Sequence, residues 1–227
     1  MSSSRMLWDA KAHLYFLFRW LPPFGLVRSR ERRLLRRALA QLAPAHGRVL
    51  DLATGTGDTL ALLPKGPTRY AIDRSRTMLR YARRRLPHAH LVCADALMPP
   101  FRAGSFELIC CIGLTEYLLE PARLMAGISE CLCPGGVAVV STSPRNLMLG
   151  LRHILGHRLH YHTPALTRAA GAEVGLSTEQ VLPSLSQWLY VMRKARGPHD
   201  RVRHDEKKIE APPREALETT AQGAKRL

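Results

Sequence analysis

Arg48-Val49-Leu50-Asp51-Leu52-Ala53-Thr54-Gly55-Thr56-Gly57-Asp58 is an apolar run that closes on an acid and then breaks into a glycine turn. Val49, Leu50 and Leu52 have the continuous hydrophobicity of a strand covered on both faces, as in the middle of a parallel sheet. Gly55 and Gly57 carry no Cβ, so the backbone can turn sharply there and come close to a ligand. A nicotinamide or flavin fingerprint would place a third glycine at position 60. Leu60 stands there, which sets dinucleotide binding aside. A second acid, Asp73, closes the next apolar segment, Tyr70-Ala71-Ile72, and a carboxylate at such a strand end can accept both hydroxyls of a ribose.

Outward from this junction the chain alternates strand and helix patterns. Strands are expected at 69–72, 90–94, 106–112 and 137–142, with helices at 58–63, 75–86 and 120–131 between them and a turn at Pro134-Gly135-Gly136. A helix at 164–170 and two strands, 172–182 and 186–194, complete the pattern. Upstream, a helix over 6–20 stops at Pro22-Pro23, and a second covers 28–42 with Leu34, Leu35, Leu39 and Leu42 inward and Arg30, Arg33, Arg36 and Arg37 outward. From Gly197 the chain is mixed in charge, contains proline and is poor in aromatics, the composition of a mobile tail.

Taken together, V-L-D-L-A-T-G-T-G-D, Y-A-I-D, C-A-D-A at 93–96 and L-C-P-G-G-V-A-V-V at 132–140 resemble the class I S-adenosylmethionine-dependent methyltransferases. The likeness is to the small-molecule subgroup that includes the ubiquinone and menaquinone C-methyltransferases, in which Ala53 also stands where other members carry glycine. The resemblance implies an α/β, Rossmann-like sheet of seven mostly parallel strands in the order 3-2-1-4-5-7-6, with helices on both faces. It implies a helical cover at 1–47, a methyltransferase domain at 48–196 and a tail at 197–227. S-adenosyl-L-methionine is the implied cofactor, held by Asp51, Ala53, Gly55, Gly57, Asp73, Arg74, Asp95, Ala96 and Ile112. In relatives the segment around 144–168 roofs the acceptor pocket.

At 227 residues and 46% hydrophobic, the chain suits one substantial domain with short extensions. Its net charge of +16 comes from 28 Arg and 6 Lys, and its distribution is uneven. Residues 144–168 hold four Arg, four His and no acid, and residues 69–85 hold seven Arg against Asp73. Such fields attract anionic lipid, nucleic acid or anionic small molecules. The aromatics Trp8, Phe18 and Trp20, followed by the arginines of 28–37, suggest peripheral contact with an anionic membrane. Five cysteines with no C-x-x-C pair and no disulfide spacing point to a reducing, cytoplasmic setting.

Methyl transfer from a sulfonium is an in-line displacement in which holding the partners at attack distance does most of the work. If a base takes part, His162, Tyr161 and Glu116 are the candidates by position, with His160 behind them. No D-P-P-Y or N-P-P-Y type sequence follows residue 112, and no cysteine lies in a proline-containing nucleophile motif. Both facts disfavour nucleic-acid bases as acceptors. A small-molecule acceptor is the expectation; an RNA methyltransferase and a non-catalytic cofactor-binding partner are the alternatives. No metal is expected: His153 and His157 stand at i, i+4, but cysteine and acid partners are missing nearby.

Overall fold

The computed structural model describes residues 24–144 and 159–196. The strand opened by Arg48 is central. β1 (Arg48–Leu52) runs parallel to β2 (Thr68–Asp73) on one side and to β4 (Phe106–Cys111) on the other. β3 (His90–Cys93) lies parallel outside β2, and β5 (Leu132–Thr142) parallel outside β4. β7 (Trp188–Lys194) then pairs antiparallel with β5, and β6 (Leu176–Pro183) forms the edge beyond it. The order is β3-β2-β1-β4-β5-β7-β6, as the resemblance implied. Register aligns Leu52 with Ile72, Asp73 with Cys93 and Cys111 with Val140, so the carboxyl ends of the parallel strands reach one edge together.

Alternation along the strands divides the core into two layers. Val49, Ala71, Leu108, Cys110 and Val139 pack with Leu35 and Leu39 of α1 (Phe24–Leu42), with the 3-10 turn Leu60–Leu62, and with Leu86. Leu50, Leu52, Ile72, Ile109, Cys111 and Val140 pack with Leu124, Met125 and Ile128 of α3 (Ala122–Cys131) and with Ala170 of α4 (Pro164–Ala172). Each fully buried aliphatic side chain contributes roughly 1.5–3 kcal/mol, so the two layers hold the helices against both faces of the sheet.

The helices have local causes. α2 (Arg76–Arg85) starts at Ser75, whose Oγ accepts from the Met78 amide at 3.1 Å; it buries Met78 and Ala82, one turn apart, and ends on three arginines that favour the negative end of the helix dipole. α4 starts at Thr163, whose hydroxyl accepts from the Leu166 amide, with proline just inside the first turn. α1 is tied to the β6–β7 hairpin by Glu31. Its Oε1 accepts from the Ser186 amide at 3.2 Å and from the hydroxyls of Ser184 and Ser186.

Several boundaries differ from expectation. The helix expected at 58–63 is a turn with one i to i−4 bond, Ala61 N–H to the Gly57 carbonyl, closing into the 3-10 turn Leu60–Leu62. Leu60, Leu62 and Leu63 are all buried, a spacing that an α-helix cannot place on one face, and Pro64 leaves no room for a second turn. Pro134-Gly135-Gly136 does not precede β5 but lies within it, bulged out where Leu132 pairs with Phe106 and Val137 with Leu108. α4 continues to Ala172 and Gly175 turns the chain at φ +77°, so β6 begins later than expected. α1 begins at Phe24, directly after Pro22-Pro23, rather than at 28. The helix expected over 6–20, residues 145–158 of the roof and the tail from 197 lie outside the described residues.

Candidate functional site

The junction after β1 is built around two acids. Asp51 is 1% exposed, and its Oδ2 accepts from the Thr54 hydroxyl at 2.6 Å, which closes the turn on itself. Burial pushes its carboxyl up to about 7, against the lowering effect of the Thr54 hydrogen bond and with added repulsion from Asp73 and Asp58. Ala53 follows at φ +54°, the only residue other than glycine with positive φ among those described. Backbone strain of this kind, on the order of 1–2 kcal/mol, is typical of ligand-clamping turns.

Gly55 and Gly57 serve different ends. Gly55 has φ +55° and nothing within 4 Å of where a Cβ would sit, so its bare face opens outward. A Cβ on Gly57 would lie 2.6 Å from Leu86 Cδ1 and 3.4 Å from Ala82 Cβ, so that glycine lets the turn pack against α2. Asp73, at the end of β2, joins the turn: its Oδ2 accepts from the Gly55 amide and its Oδ1 from the Ser75 amide, each at 2.8 Å. Arg74 beside it is exposed.

At the end of β3, Asp95 Oδ1 accepts from the Leu97 amide at 3.0 Å in a side-chain turn, half-buried, with Ala96 buried beneath it. With Asp73 paired to Cys93, this turn follows β3 at the same sheet edge as Asp73. Ile112, after β4, is half-buried against the α1-side layer, and its neighbour Gly113 donates its amide to Ser141 Oγ at 2.8 Å. Asp51, Ala53, Gly55, Asp73, Asp95, Ala96 and Ile112 thus converge on the carboxyl edge, where open α/β sheets bind ligands. An open glycine face next to a backbone-braced carboxylate fits the ribose and methionine portions of S-adenosylmethionine.

Across the edge lies a second, polar cluster. Thr115 and Glu116, in the 3-10 turn Thr115–Tyr117, are 1% and 3% exposed. The Ser143 hydroxyl donates to Glu116 Oε1 at 3.2 Å, and the Thr115 hydroxyl lies 3.4 Å from Oε2 while also donating to the Ser141 carbonyl. The segment from Leu159 lies over this turn: His160 N–H donates to the Glu116 carbonyl at 2.6 Å, and buried His162 puts Nε2 3.1 Å from the Thr115 carbonyl and 3.0 Å from the Leu118 carbonyl. Tyr161 between them is 40% exposed. Of the three candidate bases, Glu116 and His162 are therefore brought to the same turn, while Tyr161 is exposed. The His162 Nε2 is committed to two carbonyl acceptors, which leaves Nδ1 as the ring nitrogen with a lone pair.

Sequence reading missed Thr54, Ser75, Ser141 and Ser143. Ser75 had a signal, a serine one residue before an apolar-periodic helix; Thr54 bonds locally, to Asp51 three residues earlier, while Ser141 and Ser143 are recognisable only once β4 and β5 lie side by side. Cys110 and Cys111 are buried, and burial together with the nearby Asp51 charge pushes both thiols up, so neither is poised as a nucleophile. Among the described residues, no three metal-ligating side chains gather, and no helix is long and apolar enough to cross a membrane. His153 and His157 lie outside the described residues.

The sequence pattern of the methyltransferase-domain family matches residues 27–196, three quarters of the chain and the whole of the sheet just described. The chain belongs to the class I S-adenosylmethionine-dependent methyltransferases. It is 31% identical over 156 residues to a malonyl-[acyl-carrier protein] O-methyltransferase of Marinomonas sp., a match covering 62% of this chain and 57% of that protein. It is 42% identical over 121 residues to a demethylmenaquinone methyltransferase of Beutenbergia cavernae, covering 49% of each. The chain thus spans about half the length of these curated relatives. Among solved structures, magnesium protoporphyrin IX methyltransferase from Synechocystis with bound S-adenosylhomocysteine superposes with a TM-score of 0.71 at 13% identity, over 86% of this chain and 99% of that one. Geranyl diphosphate C-methyltransferase from Streptomyces coelicolor, also solved with S-adenosylhomocysteine, gives 0.62 at 16% identity, over 74% and 76%. At these identities the structural likeness speaks to the fold. The fold is the one that the four motifs together implied.

Proposed function

We propose that this methyltransferase moves the methyl group of S-adenosylmethionine to a small amphipathic or anionic acceptor, with a quinone precursor as the first candidate. The observation that carries the reading is the covered acceptor edge: residues 159–162 lie across the turn at 113–118, so a base within a polymer would have to pass the chain's own backbone. The names of the curated relatives, which include demethylmenaquinone methyltransferases, agree with a small acceptor. Glu116 is the residue we assign to the acceptor's proton. Its buried carboxylate accepts from the Ser143 hydroxyl, and a carbon or hydroxyl acceptor must lose a proton once methylated. A labelled-methyl assay on cell extract, fractionated into lipid, RNA and small polar pools, tests the reading. Label is expected in the lipid or small polar pool; label in RNA alone would sink it. Glu116→Gln is expected to lower transfer by about 10²-fold or more, with S-adenosylhomocysteine affinity nearly unchanged.

The same site would be served by contact with an anionic membrane, which we also propose. α1 and α2 pack on one face of the sheet, and their outer positions are Arg30, Arg33, Arg36 and Arg37 on the first and Arg76, Arg80 and Arg84 on the second, all exposed. Two acids on that side are engaged, Glu31 by the serines of the hairpin and Asp58 by Arg85. The result is a broad basic face of the kind that gathers anionic headgroups.

A further inference from the structure

The segment at 159–163 meets the turn after β4 through contacts aimed at backbone carbonyls. The Thr115 carbonyl receives the Leu118 amide at 3.0 Å and His162 Nε2 at 3.1 Å, while Nε2 lies 3.0 Å from the Leu118 carbonyl as well. A carbonyl oxygen only accepts, so Nε2 must carry the proton and donate to both in a three-centre bond. A nitrogen in that state has no lone pair to offer a substrate. The ring is 4% exposed and closes the 3-10 turn from outside, with Glu116 at the middle of the turn and its carbonyl held by the His160 amide.

We infer that His162 is a positioning residue: donating from Nε2, it latches the turn Thr115–Tyr117 and so fixes the Glu116 carboxylate at the acceptor edge. The part of this that concerns Glu116 rests on the proposed function; the latch itself does not.

His162→Gln and His162→Ala separate the possibilities. Glutamine brings an amide nitrogen with two N–H donors to the same region but no base, whereas alanine brings neither. Two readouts apply to the full-length chain: hydrogen exchange of the peptides spanning 113–120 and 159–166, and labelled-methyl transfer to a lipid extract. The glutamine variant is expected to keep wild-type protection and a transfer rate within about threefold of wild type; the alanine variant should lose protection in both peptides and at least about tenfold in transfer, with S-adenosylhomocysteine affinity changed by no more than about twofold. A glutamine variant that stays protected yet is as inactive as the alanine variant would show that His162 is a base, and unchanged protection in the alanine variant would show that there is no latch. If the alanine variant does not fold, glutamine against wild type decides in both readouts. If wild type labels nothing, the exchange result still decides the latch, and it is the proposed function that falls.

Discussion

Asp51 is the residue whose chemistry the fold changes most. Its carboxyl is pushed from 3.8 to about 7, mainly by burial. A raised folded value means that the group's contribution to stability is fully present below the unfolded value and is lost as pH rises through the folded one. The loss therefore runs from about pH 4 to about pH 7, and on the order of 4 kcal/mol is involved. Asp51→Asn keeps an acceptor for Thr54 and removes the ionisation. Urea unfolding should find the variant gaining about 2–3 kcal/mol on wild type between pH 5 and pH 8; a gap that is the same at both values would contradict the assignment. Asp73 is the carboxylate we propose for the ribose hydroxyls. Asp73→Ala removes the acceptor that braces the Gly55 and Ser75 amides, and calorimetry should show S-adenosylhomocysteine affinity falling by roughly 1.5–3 kcal/mol.

The turn after β1 is a single element in which two glycines divide the work. Gly55→Ala meets open space at φ +55°, so it should cost about 1 kcal/mol of stability and a larger share of cofactor affinity. Gly57→Ala drives a methyl into Leu86 at φ +78°, so it should cost about 1–3 kcal/mol of stability beyond that strain, with affinity following only as the turn loosens. Denaturant titration and calorimetry on the two variants read the contrast directly. Equal losses in both measurements would mean that the glycines share one role. The family pattern foretold two small residues here, but it could not say which one faces the ligand, because that depends on where α2 brings Leu86.

Across the whole molecule the charge is arranged rather than scattered. The α1 and α2 arginines share one face, and each arginine near an anionic surface contributes about 1 kcal/mol. Vesicles of phosphatidylcholine with phosphatidylglycerol should pellet the protein, pure phosphatidylcholine vesicles should not, and binding should fade between about 0.05 and 0.5 M salt as the screening length shortens. The double variant Arg33→Glu with Arg80→Glu should lose most of the binding. Undiminished pelleting by that variant, or equal pelleting by neutral vesicles, would refute the basic face as the contact.

What could be read from the chain alone was whatever depends on local order: the strand that carries Asp51, the acid closing β2, and the succession of motifs that carried the strand order and the cofactor. These follow from periodicity and from residue types whose backbone preferences are felt within a few positions. Folding in three dimensions decided the rest. The turn at 58–63 was misread because three buried leucines answer to α1 and the sheet rather than to a helix period. The bulge at Pro134-Gly135-Gly136 is set by the register of β5 on β4. The hydrogen bonds of His162 could not be read either, because the carbonyls that receive its Nε2 belong to a turn more than forty residues earlier, and only packing brings donor and acceptor together.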